Sequence, residues 1–300
     1  MRKVFFGDLP AFQFHLLQKF SDRAEHAVFS REGGVSNAPY DSLNVRFGIG
    51  DRHENVVENR RRICVALGLE PDNLISADQT HSRNVAVVDE VLQSGVQKQS
   101  HTLEELRTSK VKSSNVDGVR AFEVENSNVG GLAEIDDVDA LVTSLKGVGL
   151  MVQVADCQAL LMFDPVKNVA AAVHAGWKGL AQDIGGATIT VMREKFGVDP
   201  ANILVGVAPS LGPCCAFFSN PEKELPASFH KFIDARKRVD LWSFGIEQLQ
   251  KNGVPQGNIE FARVCTQCGN GKDIDGSHKF FSYRGEQGIT GRFGAVIAVR

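Results

Sequence analysis

The chain has 300 residues, 43% of them hydrophobic and 23% charged, a balance that excludes wholesale disorder, a fibrous repeat and a disulfide-dense miniprotein. Lysine plus arginine number 33 against 36 aspartate plus glutamate, for a net charge of -3, so neither a nucleic-acid backbone nor an anionic membrane is an expected partner. No apolar run nears the ~20 residues of a bilayer crossing, and Asp8 and Pro10 break the apolar N-terminus; the expected address is cytoplasmic, with the six cysteines reduced.

In chain order, residues 26–49 read as strand, turn, strand: HAVFS, the tight REGGVS, then LNVRFGIG. Gly33 and Gly34 permit positive φ in the turn. From Glu54 to Leu67 the period becomes helical, with Val57, Cys64 and Leu67 on one face, Arg60 and Arg61 away from it, and Gly68 as C-cap. Alternation over Asn84–Val88 predicts a strand entered just after His81. Residues 91–131 are polar, with one short helical pattern at HTLEELRTSK, and read as a surface excursion. Order resumes at Val138–Thr143.

Two continuous apolar runs follow, GVGLMVQVA before Asp156-Cys157 and NVAAAVHAGW around His174, with FDPVKN as a turn between them. Such runs suit strands buried on both faces. A helical segment runs from beyond Gly179 to Phe196, directing Ile184, Val191 and Met192 inward. Asn202–Pro209 is another buried strand, Leu241–Lys251 is helical, and GAVIAVR closes the chain as a strand. Strands and helices alternate without a regular βαβ rhythm, which predicts an α+β fold with mixed sheets.

His81, Cys157 and His174 each lie at or just beyond the end of a predicted buried strand, where distant parts of a chain converge on one mouth. Two imidazoles and a thiolate are the ligand set of a catalytic zinc site with a fourth position left for water or substrate. Such an ion lowers the pKa of bound water to ~7. Asp139 and Asp156 are candidates to orient a ligand histidine or accept a proton, although Asp156 reads better as a strand-end aspartate whose side chain points opposite to that of Cys157. Cys265-x-x-Cys268 alone is a weak metal signal, since the adjacent pair Cys214-Cys215 lacks zinc-ribbon spacing.

ADCQALLMFD followed by AAVHAGWKG, preceded by QTHS and DALVT, resembles the YfiH/laccase-domain family, as do REGGVS…SLNV, ENVVENRRRICVALGL, APSLGPCC and CT…FFSYRG…TGR. The resemblance spans nearly the whole chain. It implies one domain over 1–300, with two mixed sheets packed together and helices outside. It also implies Zn2+ (Cu2+ in the family's older description) held by His81, Cys157 and His174, with the same three side chains carrying catalysis. The activity implied is phosphorolysis of a purine nucleoside by inorganic phosphate, with an adenosine deaminase side activity.

Arg31, Ser36, Lys178, Arg284 and Arg292 fall in loops that the family places near its pocket, where cations would hold phosphate. Trp177 could stack on a purine, but packing over the pocket is the expected role. Departures from the family pattern are Ala159 for proline, Lys178 for arginine in HAGWKG, Arg284-Gly285 for a double arginine, Ala216 where an aromatic is usual, and the long polar segment. Two competing activities are copper-dependent polyphenol oxidation and a cysteine amidase acting on cell-wall precursors with Cys157 as nucleophile. Eight histidines without a His-x-His pair speak against several copper sites. The expected assembly is a monomer or homodimer.

Overall fold

The computed structural model describes residues 1–90, 111–125, 134–268 and 279–300. The fold is α+β, built on two packed mixed sheets. The first carries β1 (Arg2–Phe6), β2 (Leu9–Gln13), β3 (Ala24–Phe29), β4 (Leu74–Asp78), β8 (Glu134–Asp136), β10 (Gly149–Val154) and β15 (Phe293–Val299), in the order β1-β2-β3-β15-β10-β4-β8. The second carries β5 (Val85–Glu90), β6 (Val111–Val116), β7 (Val119–Glu125), β9 (Ala140–Thr143), β11 (Gln158–Asp164), β12 (Val169–Ala175), β13 (Leu204–Val207) and β14 (Ile259–Phe261), in the order β14-β13-β11-β12-β9-β5-β7-β6.

The central strands β10, β11, β12 and β15 are buried along their whole length because both of their faces are covered. In β12, Ala170 and Ala172 enter the core between the sheets with Val152, Val154, Leu161 and Phe163. Val169, Ala171 and Val173 face outward beneath helix α4 (Ile184–Phe196) and helix α6 (Leu241–Lys251), beside Ile184, Val191 and Leu249. Helix α2 (His53–Leu67) covers the other sheet through Ile63, Cys64 and Leu67. Gly68 ends it in the left-handed region, at φ 67°.

Several expectations are corrected. The buried face of α2 is turned by one residue, carrying Val56 and also Arg60, which is fully buried. A buried guanidinium needs partners, and Arg60 finds Glu134 at 2.5 Å, Val45 O at 2.8 Å and Ser76 Oγ at 3.1 Å. LNVRFGIG is not a strand. Asn44 Oδ1 accepts from the backbone N–H of Arg46 and of Arg292 (3.1 and 2.9 Å), so side-chain amides replace a ladder there.

FDPVKN is a turn, but the ADCQALLMFD block supplies a strand of its own, β11, between the two apolar runs. Within the polar segment, residues 111–125 form the β6–β7 hairpin around Asp117-Gly118, both at positive φ (49° and 79°), the usual two-residue turn chemistry. The helical pattern at HTLEELRTSK lies outside the described residues.

One topological feature positions the site. Strands β8, β4 and β10 are parallel neighbours in the first sheet. Each crosses directly to a strand of the second sheet: β4 to β5, β8 to β9, β10 to β11. The three crossovers carry His81, Asp139 and Cys157. Pairing of Ala159 with His174 across β11 and β12 places His174 on the same face as Cys157, two residues from Ala159.

Candidate metal centre and active site

The ligand atoms of His81, Cys157 and His174 all lie within 4.8 Å of one another. Cys157 Sγ is 3.8 Å from His81 Nε2, and the two imidazole rings meet edge to face with centroids 4.8 Å apart. Asp139, fully buried, organises the group. Its Oδ1 accepts from His174 Nδ1 at 2.7 Å and from His81 N–H at 3.1 Å; its Oδ2 accepts from Thr80 N–H (3.3 Å), Ser82 N–H (2.6 Å) and Ser82 Oγ (2.7 Å). One carboxylate thereby fixes the ring of one histidine and the loop of the other, the usual support for a metal-bound imidazole. His81 itself has φ 62°, a conformation the Asp139 bonds hold in place.

The electrostatics fit a cation. Burial alone would push the Cys157 thiol up, but the charge of His174 and hydrogen bonds from both histidines outweigh it and bring it down to about 6. Burial works against the His174 imidazolium, yet the Cys157 thiolate and Asp139 carry it up to about 9. Burial likewise opposes ionisation of Asp139, and the bonds from His174 and Ser82 still hold its carboxyl below the ordinary value. With Nδ1 engaged by Asp139, the other nitrogen of His174 remains for a ligand. A Cβ built on Gly176 would sit 2.6 Å from His81 Cδ2 and 3.0 Å from Cys157 Sγ, so the absence of a side chain there keeps the cradle open.

The trio opens into a cavity of about 510 Å³, within the ~300–1,000 Å³ range of small-ligand sites. Trp177, Phe218 and Tyr283 supply aromatic walls, and Arg46, Arg284 and Arg292 supply cations. Arg46 pairs with Asp78 at 3.0 Å. Arg284 donates to Phe217 O and lies 5.1 Å from the Phe218 ring. Arg292 donates to Thr290 O and Gly291 O at 2.9 Å; among the described residues it has no carboxylate partner.

Three other expected phosphate contacts lie outside the cavity lining. Arg31 is held by Glu286 (3.0 Å) and Asp41 (3.4 Å). Ser36 donates to Asp51 at 2.6 Å and accepts from Asn59 at 2.9 Å. Lys178 is exposed, 5.7 Å from the Trp177 ring. Asp156 sits at the cavity edge with its carboxylate accepting from Thr266 Oγ1, Ser282 Oγ and Arg284 N–H (2.5, 2.7 and 2.7 Å); it ties the C-terminal loop to the crossover. Trp177 packs edge to face on Phe218 at 6.4 Å. Arg46 was not among the sequence candidates; its signal was the SLNV block that it directly follows.

Fold and site together define a two-sheet protein with a candidate His–Cys–His metal-ligand set opening on a polar and aromatic cleft. The family described as multi-copper polyphenol oxidoreductase laccase matches residues 25–300, and the chain belongs to it. A relative named purine nucleoside phosphorylase ORF3, from Streptomyces griseus, is 32% identical over 290 residues, covering 94% of this chain and 97% of the relative. Purine nucleoside phosphorylase YlmD of Geobacillus stearothermophilus is 27% identical over 282 residues, covering 90% and 88%. The crystal structure of YlmD from that organism superposes with a TM-score of 0.71 at 25% identity, covering 92% of each chain.

Proposed function

We propose that the chain is a zinc-dependent purine nucleoside phosphorylase with an adenosine deaminase side activity. The observation that carries the reading is the convergence of His81, Cys157 and His174 beside a cavity lined by both arginines and aromatic rings. The printed names of the relatives support it.

A bound zinc ion would supply Lewis acidity to an oxygen of the reactants. Arg46, Arg284 and Arg292 bind the phosphate and hold one of its oxygens toward the ribose carbon bearing the base. That oxygen forms the new bond, the glycosidic bond breaks, and its electron pair leaves with the purine, giving ribose 1-phosphate. Trp177, Phe218 and Tyr283 orient the base by packing on its faces and exclude water from the departing ring. Asp139 keeps the His174 proton on Nδ1, so its other nitrogen stays a donor of electrons. For phosphate contacts, Arg292 and Arg46, which line the cavity, take precedence over Arg31, Ser36 and Lys178, which lie outside its lining.

The decisive assay incubates the zinc-loaded protein with adenosine and phosphate and looks for adenine with ribose 1-phosphate, and for inosine. Absence of all three products, or undiminished product from Cys157→Ala, overturns the reading. A second reading has its own observation: Cys157, His174 and Asp139 are also arranged as nucleophile, base and orienting acid, which suits the cysteine amidase alternative. Activity on a cell-wall precursor that survives a strong chelator and is lost on alkylation of Cys157 would favour it. Copper-dependent polyphenol oxidation needs several histidine-rich centres, and among the described residues one ligand cluster contains histidine.

A further inference from the structure

We propose that Cys214, Cys215, Cys265 and Cys268 form a second, structural metal centre that takes a thiophilic divalent cation, zinc foremost. Their four Sγ atoms all lie within 4.8 Å of one another. Cys214 Sγ and Cys268 Sγ are 3.4 Å apart, well beyond the ~2.05 Å of a disulfide bond. Zinc–sulfur bonds of ~2.3 Å in a tetrahedron place sulfurs about 3.8 Å apart, so the Cys214–Cys268 pair would open slightly, and the 4.8 Å limit on the others brackets the spacing an ion needs.

The convergence is built by the backbone. Ser210 and Cys265 form a parallel bridge, with Ser210 N–H donating to Val264 O (3.1 Å) and Thr266 N–H to Ser210 O (3.2 Å). This brings the turn after Gly212 against the segment 265–268. Gly212 N–H donates to Cys265 Sγ at 3.3 Å, the kind of amide contact that supports a sulfur ligand. A Cβ on Gly212 would lie 3.0 Å from the Trp242 ring and 3.1 Å from Cys265 Cβ, so a glycine lets the two segments close. The turn itself is held by Cys215 N–H and Ala216 N–H on Gly212 O (2.9 and 3.0 Å), which allows two adjacent cysteines to serve one centre. Cys265 is buried, Cys215 and Cys268 half-buried and Cys214 exposed, so an ion enters from the surface and four sulfurs then close its coordination sphere.

Binding is a proton exchange: one M2+ and four R–SH give [M(SR)4]2− and four H+, with no change of oxidation state. The centre would pin one wall of the cavity. Leu211 and Phe218, on the segment bearing Cys214 and Cys215, line that cavity, and Thr266 beside Cys265 donates to Asp156. The inference is independent of the proposed reaction.

The test uses the full chain, purified untagged under reductant. Native mass spectrometry of zinc-loaded wild type should show two zinc ions per chain. His81→Ala/His174→Ala should keep one, and with Co2+ in place of zinc should show the thiolate-to-cobalt charge-transfer band and intense red absorption of a tetrahedral sulfur set. Adding Cys268→Ser should remove or markedly weaken that band. A His81→Ala/His174→Ala chain that holds no zinc and shows no cobalt–thiolate band, or a chain lighter by the hydrogens of a disulfide and holding no metal there, overturns the proposal. Should Cys268→Ser fail to fold, the zinc count and cobalt spectrum of the His81→Ala/His174→Ala chain decide.

Discussion

Asp139→Asn is the sharpest probe of how the histidine–cysteine site is held. The carboxylate accepts five hydrogen bonds, two on Oδ1 and three on Oδ2, and an amide accepts on one oxygen only. If the new NH2 replaces Oδ2, it faces the N–H groups of Thr80 and Ser82. If it replaces Oδ1, it faces His81 N–H and forces the His174 proton onto the nitrogen that should bind metal. Either orientation leaves at least one or two donors unsatisfied, at about 1–3 kcal/mol each, so the metal-free chain should lose about 2–4 kcal/mol of stability. Zinc affinity should fall about 10–100-fold, or roughly 1.4–2.7 kcal/mol. Competition against a chromophoric chelator gives the affinity, and urea unfolding of the metal-free protein gives the stability. An affinity within about twofold of wild type, which is less than ~0.5 kcal/mol, would refute the assignment of Asp139 as the group that sets the His174 tautomer.

Gly176→Ala meets no backbone obstacle, since φ there is −70°, but its methyl would collide with His81 and Cys157. Overpacking of about 1–3 kcal/mol should appear chiefly as a zinc affinity lowered tenfold or more, read by the same competition. Arg292→Met should raise the KM for phosphate about tenfold or more, by loss of a charge-assisted contact of about 1.5–3 kcal/mol, with a smaller change in KM for nucleoside; Arg292→Lys should recover only part, lacking the planar fork. His26 is buried, and its Nε2 accepts from Phe14 N–H at 2.8 Å; burial pushes the imidazole from 6.5 down to about 4, against smaller opposing effects of Glu260 and Phe14. The unfolded chain takes up that proton first, so stability present above pH 6.5 should be lost as pH falls toward 4, by about 3 kcal/mol in full. Chemical denaturation across that range checks it, and His26→Gln should flatten the slope.

The strands that frame the site were legible because burial on both faces writes an uninterrupted apolar run, as in GLMVQV and VAAAVHA. The convergence of His81, Cys157 and His174 at their ends was legible for the same reason. What escaped was set by long-range partners. Arg60 read as a surface residue because its acceptors Glu134 and Val45 O are remote in sequence. Arg31, an expected phosphate contact, is paired with Glu286, 255 residues on, a partner that leaves no local trace. The four-cysteine cluster carries no recognisable spacing, since a backbone bridge between Ser210 and Cys265 brings the pairs together. The β6–β7 hairpin lay in a polar stretch where Asp117-Gly118 was the available sign of a turn.

The crossovers at His81 and Cys157 would give a metal-loaded His–Cys–His centre a mechanical role as well. Two of its candidate ligands, His81 and Cys157, hang on separate strides of the polypeptide from one layer to the other, and the third, His174, on a strand of the second layer, so a cation gripped there would act as a rivet through the seam. Sliding of either layer would stretch the same few bonds, and loading with zinc should slow amide hydrogen exchange in β4, β10 and β12 together, coupling occupancy of the centre to the rigidity of the whole sandwich.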